Sequence, residues 1–468
     1  MESTLHIAKR NFLNWMCLVA GLALIQVSCK KDKDNKPDYP IGTNENINAW
    51  VLDSLKRYYY WNESLPFKPS LNLAPKDFFS SVRNSADRFS YMILPNDPAT
   101  FPKNNRNFGF DYTSVKEQST GQVIGIVKLV LNESPASRAG LKRGDYIRKI
   151  NGQLLTETNA VALQQELLEG SSFSLGLAEL TGNTWNDIRS VQISSGVILD
   201  QQETVKIIES GGKKIGYLYF NDFSPGLASA LTRAFARFKS ASVTELILDL
   251  RYNSGGQVAE AAGLSAMIAP GISYDKPFIT YKGNKNGGTR TESFGSAATF
   301  DGTSNFNTLL QNNLGLSRIF ILGTAATASA SEVMINNLKP YIQTVLIGEK
   351  TRGKDEASFS ISDMRSPKQV QWEMHPIIYK LFNASGNGGY STGINPDMSA
   401  NELATLPLLP FGDLNDPLVK AALSRINGNA RGSVSYSQQV KSSHLAIESV
   451  LTDTHQKATE YSIVITHR

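Results

Sequence analysis

Residues 319–354 read IFILGTAATASASEVMINNLKPYIQTVLIGEKTRGK. Residues 319–322 are a short apolar run closed by Gly323, the pattern of a buried strand. Residues 331–338 carry helical spacing, and residues 345–347, closed by Gly348, predict a second strand. The alternation continues outward. Residues 215–220 predict a strand and 228–238 a helix. Residues 246–250 are a buried strand running into RYNSGG (251–256), and 258–268 a helix rich in small residues. Strands alternating with helices imply an α/β sheet with parallel segments, here over residues 205–427.

Upstream, the character changes twice. Residues 43–104 predict a helical domain: Ile47, Trp50, Val51, Leu55 and Tyr58 recur at helical spacing behind a cap at Thr43. Residues 105–200 begin with a strand rich in Val, Ile and Leu over 122–131. SPASRAGLKRGDYIRKING follows at 134–152. Pro135 starts a short helix and Gly140 suits the left-handed position that ends one. Residues 146–150 form a strand, and Asn151-Gly152 is a hairpin signal. This ordered run resembles the PDZ domains of bacterial proteases. The resemblance implies capture of an extended peptide as an added strand. Its Gly-rich carboxylate loop falls on Asn107-Phe108-Gly109-Phe110, so Phe108, Gly109 and Phe110 are the candidate peptide-binding residues.

The chemistry centres on Ser329, Lys354, Gly255 and Gly256. Taken singly, each has a plain structural reading. Ser329 with Glu332 fits a capping box, Lys354 is an ordinary surface lysine, and Gly255-Gly256 makes a tight strand-to-helix turn. A second reading treats them together. A serine at a helix N-terminus, with the Ala330 N–H beside it, sits where developing negative charge is favoured. Two glycines let backbone approach a ligand and lend N–H groups to an oxyanion hole. Lysine is a general base only if its ammonium is disfavoured, yet Asp355 and Glu356 follow directly. The second reading therefore requires those carboxylates to point elsewhere.

Histidine narrows the options. Of His6, His375, His444, His455 and His467, only His375 falls in the α/β region, where it is expected within a strand. A Ser-His-Asp triad would rest on that residue alone. No HExxH run and no phosphate-binding glycine loop occur, and no metal or cofactor is expected.

The formal net charge is only +5 over 468 residues, with no basic patch interleaved with aromatics, so nucleic acid is not an expected partner. At the N-terminus, Lys9 and Arg10 precede an apolar run over 12–27 and then Ser28-Cys29, the layout of an export signal over 1–28. The run is shorter than the roughly 20 residues of a membrane-spanning helix. A small residue before Cys29 resembles a bacterial lipoprotein cleavage site, although Gln26 stands where leucine is usual. The rival reading is an ordinary secreted chain. Lipidation at Cys29 implies a membrane-anchored protein on the periplasmic side or cell surface. Residues 29–42 would serve as a polar spacer and 428–468 as a polar tail, with a short strand over 461–465. Cys17 and Cys29 are the only cysteines, so the mature chain would hold no disulfide.

The order of helical segment, PDZ-like domain, LRYNSGG, TASASE and GEKTRGK resembles the C-terminal processing peptidases, or tail-specific proteases. The resemblance covers most of residues 43–425 and includes GINPD at 393–397. It implies a Clp protease/crotonase-like α/β core and a serine endopeptidase acting near C-termini or in unstructured segments of polypeptides. It assigns Ser329 as nucleophile, Lys354 as general base, and the Ala330 amide with a glycine of Gly255-Gly256 as the oxyanion hole. Many members carry glutamine four residues after the lysine. Ser358 stands there, with less reach for orienting the amine. The alternatives are an inactive peptide-binding lipoprotein that keeps the fold, and a crotonase-like acyl-thioester enzyme.

Overall fold

The structure, a computed structural model, describes residues 39–428 except 98–99, 101–107, 119, 183, 197 and 199–202, together with 447–449. The expected export signal, Cys29, most of the spacer and the strand over 461–465 lie outside the described residues.

The chain begins with α1 (Asn44–Tyr58), capped by Thr43, whose hydroxyl oxygen accepts the Asn46 N–H at 3.3 Å. It buries Val51, Leu52 and Leu55 against α2 (Pro75–Val82), which contributes Phe78 and Phe79. The segment is not helical throughout: it ends in a short strand, β1 (Tyr91–Ile93). Three residues are too few for periodicity to separate from a loop.

Next come β2 (Phe110–Glu117), β3 (Val123–Val130), α3 (Pro135–Arg138), β4 (Tyr146–Ile150), β5 (Gln153–Leu154), α4 (Ala160–Glu169), β6 (Ser172–Thr181) and β7 (Thr184–Ser194). β2, β3, β4, β6 and β7 pair in that order, all antiparallel. Asn151 and Gly152 both take positive φ, 49° and 78°, as a two-residue hairpin turn requires. Phe108 and Phe110 are buried with Phe173, Leu163 and Leu167, and Phe108 meets the Phe173 ring edge-on at 4.6 Å. Their side chains are core, so only backbone at this turn can face a peptide.

The remainder runs β8 (Glu203–Ser210), β9 (Lys213–Phe220), α5 (Leu227–Ser240), β10 (Glu245–Asp249), α6 (Val258–Ile268), β11 (Pro277–Lys282), β12 (Thr289–Ser293), α7 (Phe294–Ala298), α8 (Phe306–Gln311), β13 (Arg318–Gly323), α9 (Ala330–Leu338), β14 (Gln343–Gly348), β15 (Glu356–Ser358), β16 (Ile361–Ser362), β17 (Glu373–His375), β18 (Ile377–Asn383), β19 (Met398–Ser399), α10 (Pro417–Ile426) and β20 (Ile447–Ser449). The central sheet has the order β19-β14-β13-β10-β9-β8, parallel except for β8. Its strands are apolar on both faces, as a parallel sheet covered on both sides must be. Leu246 and Leu248 of β10 and Ile319 and Ile321 of β13 face the α5, α6 and α9 side. Ile247, Phe320 and Leu322 alternate to the α10 side. Along α5, Leu227, Leu231, Phe235 and Phe238 form the buried stripe. Each such side chain contributes about 1.5–3 kcal/mol of burial.

Two smaller sheets accompany the central one. One has the order β12-β11-β18-β15, the other β1-β17-β16, so the N-terminal segment supplies a strand next to the residues that follow Lys354. The PDZ-like domain meets the α/β domain through buried charge. Lys128 Nζ lies 3.2 Å from Glu402 Oε1 and Arg143 Nη1 donates to the Tyr252 hydroxyl at 2.7 Å, while within the α/β domain Arg251 makes a two-pronged pair with Asp416 at 2.8 and 3.0 Å.

Candidate active site

β10 and β13 lie side by side in parallel and end at the same edge of the sheet, which brings the 251–256 loop against the turn leading into α9. Asn253 holds the two together. Its carbonyl oxygen accepts the Ala328 N–H at 3.1 Å, its Oδ1 lies 2.9 Å from the Ser331 hydroxyl, and its Nδ2 donates to the Phe220 carbonyl at 3.1 Å. Thr327 donates its hydroxyl to the Leu250 carbonyl at 2.7 Å. Thr327, Ala328 and Ser331 of TASASE are thereby buried residues with assigned partners.

Ser329 sits at the N-cap of α9 and is fully buried. It is one of four non-glycine residues with positive φ among the described residues, at φ 64° and ψ −120°. An L-residue held there stores on the order of 1–3 kcal/mol of backbone strain. Gly255 faces it at φ 103°. A Cβ on Gly255 would fall 2.5 Å from Ser329 Cβ, 2.6 Å from Ser329 Oγ and 2.8 Å from the Ala330 nitrogen. No other residue type fits that space. Gly255 donates its own N–H to Asn253 Oδ1 at 2.9 Å. Gly256 is equally constrained, at φ 139° with a Cβ position 2.3 Å from the Phe223 carbonyl oxygen.

Lys354 is buried, not a surface lysine. Its loop leaves β14 through Gly348 at φ 124°, where a Cβ would strike the Gly323 carbonyl at 2.1 Å. The loop turns again at Gly353, φ 87°, against the Gly393 nitrogen and Ser391 carbonyl, each 2.4 Å from a Cβ there. Arg352 donates its N–H to the Thr327 carbonyl at 2.9 Å, which ties the lysine loop to the serine turn. The GINPD run packs on the same loop: Ile394 donates to Thr351 Oγ1 at 2.7 Å, and Asp397 Oδ2 accepts the Leu346 N–H at 2.8 Å.

Glu332 is the hub between the two segments. Its Oε2 accepts the Ser329 N–H at 2.9 Å and the Lys354 N–H at 2.7 Å. Its Oε1 accepts the Thr351 hydroxyl at 2.5 Å and the Gly353 N–H at 2.7 Å. Burial raises its carboxyl above the ordinary value, and the four donated hydrogen bonds work against that rise. The capping relation expected for Glu332 is therefore present on the carboxylate side and extends to Lys354, which spacing alone did not reveal.

The acidic neighbours of Lys354 are engaged by another cation. Lys380 Nζ on β18 donates to Asp355 Oδ1 at 2.9 Å and to Glu356. Desolvation pulls Lys380 down, but Glu356 and Asp355 more than offset it and leave its ammonium above the ordinary value. Ser358 lies buried in β15, paired with Ile377 of β18.

Sequence reasoning missed Arg88 and Phe89. Lys354 Nζ lies 5.0 Å from the centre of the buried Phe89 ring. The Arg88 guanidinium lies 4.6 Å from the same ring centre and donates to the Gly353 and Ser391 carbonyls at 2.5 and 2.8 Å. The only signal was the aromatic content of the N-terminal segment. His375 lies in a strand as expected. It stacks on Tyr91 at 4.5 Å, with Nε2 2.8 Å from Glu373 Oε1. Among the described residues no cluster of His, Cys, Asp and Glu is arranged to hold a metal ion.

Comparison with known proteins agrees with this layout. Family models match as Peptidase family S41 over residues 214–400, Peptidase S41 N-terminal domain over 46–91 and PDZ domain over 126–178. A carboxyl-terminal-processing protease of Picosynechococcus sp. is 26% identical over 262 residues, covering 52% of this chain and 57% of the relative. The chloroplastic carboxyl-terminal-processing peptidase 3 of Arabidopsis thaliana is 27% identical over 326 residues, covering 67% of this chain and 57% of the relative. The matched region thus spans a little over half the length of these two relatives. A crystal structure of an S41 protease from Bacteroides fragilis superposes with a TM-score of 0.66 at 29% identity, over 84% of this chain and 100% of that one. In chain order, the matched segments are the N-terminal domain of peptidase family S41, a PDZ domain and the S41 peptidase domain.

Proposed function

We propose that the protein is a serine endopeptidase working through Ser329 and Lys354 on polypeptides docked by the PDZ domain. The observation that carries this reading is the Glu332 carboxylate, which joins the backbone of Ser329 to that of Lys354 in a buried, glycine-lined turn. Ser329 Oγ attacks the scissile carbonyl carbon while the Lys354 amine takes its proton. The tetrahedral intermediate's oxyanion is met by the Ala330 N–H at the start of α9 and by the 255–256 loop. Gly255 spends its N–H on Asn253, which favours Gly256 as the second donor and Gly255 as the residue that keeps the space open. Lys354 then protonates the leaving amine. Water attacks the acyl-enzyme, releasing the new carboxyl terminus and returning the proton to Ser329.

Two features support a neutral amine at Lys354. Burial disfavours any ammonium, and Lys380 occupies the adjacent carboxylates. Ser358 is a lysine-orienting residue on this reading. The proposed location is the outer side of a bacterial membrane, with a lipid on Cys29. Loss of lipid labelling and of membrane fractionation in Cys29→Ser tests it. The activity is tested by identifying new protein termini in cells carrying wild type or Ser329→Ala. Termini that depend on Ser329 support the reading and name substrates. Identical sets of termini overturn it in favour of a peptide-binding protein without catalysis.

A further inference from the structure

We propose that the chain's own C-terminal segment occupies the peptide-accepting edge of its PDZ domain, as an intramolecular ligand that an incoming polypeptide displaces. The proposal rests on the peptide-binding reading of that domain and is independent of the Ser329–Lys354 chemistry.

β20 forms a short antiparallel ladder with β2: Val115 opposite Ser449, Lys116 opposite Glu448, and Glu117 opposite Ile447. It is the end strand of a sheet ordered β20-β2-β3-β4-β6-β7. β2 would otherwise present an open row of backbone N–H and C=O groups, the template for strand addition. Three observations identify this edge as the peptide site rather than an arbitrary one.

First, β2 follows directly on the Phe108-Gly109 turn, where a PDZ domain places the end of its ligand. Gly109 has φ 76°, and a Cβ there would fall 2.1 Å from Ser134 Cβ, so the turn is fixed in shape. Second, the polarity is that of a ligand. From Ile447 to Ser449 the added strand runs antiparallel to β2, toward the Phe108-Gly109 turn. Third, recognition at this edge is through main chain, because the Phe108 and Phe110 side chains are committed to the core. Main-chain pairing is tolerant of sequence. A tethered segment of ordinary composition therefore serves as ligand by proximity alone.

The tether decides the magnitude. β20 follows α10 in the same chain, separated from it by residues 427–446, and linkage within one chain supplies a ligand at an effective concentration on the order of millimolar. If the tail pairs with an intrinsic dissociation constant on the order of 100 µM, any competing peptide is weakened about tenfold. The tail thus sets a threshold: only segments that pair better, or that are presented at high local concentration, gain the edge.

The test measures binding, not cleavage, by fluorescence anisotropy. The probe is a labelled synthetic peptide with the sequence of residues 443–453, SHLAIESVLTD. It is titrated against the full-length protein carrying Ser329→Ala, and against the same protein also carrying Glu448→Pro. Proline removes the N–H at the centre of the added strand and is poorly tolerated in strand pairing. The proposal expects probe binding about tenfold or more tighter to the Glu448→Pro protein, matched by a chain ending at Gly428. Equal affinity for all three proteins overturns the self-ligand and leaves the PDZ domain a peptide binder. Absence of binding to all three overturns both, while the peptidase reading stands or falls by its own experiments.

Discussion

Glu332 and Lys354 are bonded carboxylate to backbone: the Lys354 N–H donates to Glu332 Oε2 at 2.7 Å, on the same oxygen that takes the Ser329 N–H. A helix-capping residue thereby fixes the separation of two loops that leave different strands. Glu332→Gln keeps the size but replaces one acceptor oxygen with a donor, leaving at least one buried N–H unpaired. Loss of about 1–3 kcal/mol of stability is expected. Peptidase turnover should fall more than tenfold with little change in KM, because the loops move while the docking domain does not. Urea unfolding and steady-state kinetics on an unfolded protein substrate check both.

The strain at Ser329 gives a second prediction. Glycine adopts φ 64° and ψ −120° without cost, whereas alanine does not. Ser329→Gly and Ser329→Ala should both be inactive, but the glycine variant should be more stable, by on the order of 1 kcal/mol. Equal melting temperatures would show that the backbone at Ser329 is relaxed.

Lys380 supplies a test in pH. In Lys380→Met, Asp355 and Glu356 lose their cation, and an unpaired carboxylate beside Lys354 favours its charged form. A base that is harder to deprotonate requires higher pH. The acid limb of kcat/KM should therefore move upward, with activity at high pH retained better than at neutral pH. An unshifted profile would mean that these carboxylates do not reach Lys354.

The buried charges between the PDZ and peptidase domains titrate in the opposite sense. Burial pushes Glu402 up, but Lys128, Arg143 and Arg251 more than offset it and hold the carboxyl at about 2, below its usual 4.5. A carboxylate depressed in the folded state stabilises above the unfolded value, and that stabilisation disappears as pH falls through the folded one. The stability gap between wild type and Glu402→Gln should be largest above about pH 4.5 and close as pH approaches about 2. Denaturant unfolding across that range checks it.

The central sheet was readable because its strands are short apolar runs separated by amphipathic helices, and α6 falls on residues 258–268 as expected. The PDZ run was readable because Gly140, Asn151 and Gly152 mark backbone that few residues adopt. β1 and β20 were not readable as strands. Each has three residues, and each exists because a distant strand offers an edge. At the site, the residue types were legible but their environment was not. That Lys354 is buried, and that Lys380 takes Asp355 and Glu356, depends on a register between β15 and β18 that no local pattern encodes. Arg88 reaches Gly353, and Phe89 reaches Lys354, from more than two hundred and fifty positions away in sequence, through tertiary packing alone.

The activation of Ser329 by Lys354 is tested most directly by the rate at which a fluorophosphonate labels the protein, with the modified residue identified by peptide mass spectrometry. Labelling confined to Ser329, and slowed at least a hundredfold in Lys354→Met with the fold intact, is the expected outcome. Undiminished labelling of Ser329 in Lys354→Met, or labelling at another serine, would contradict the dyad.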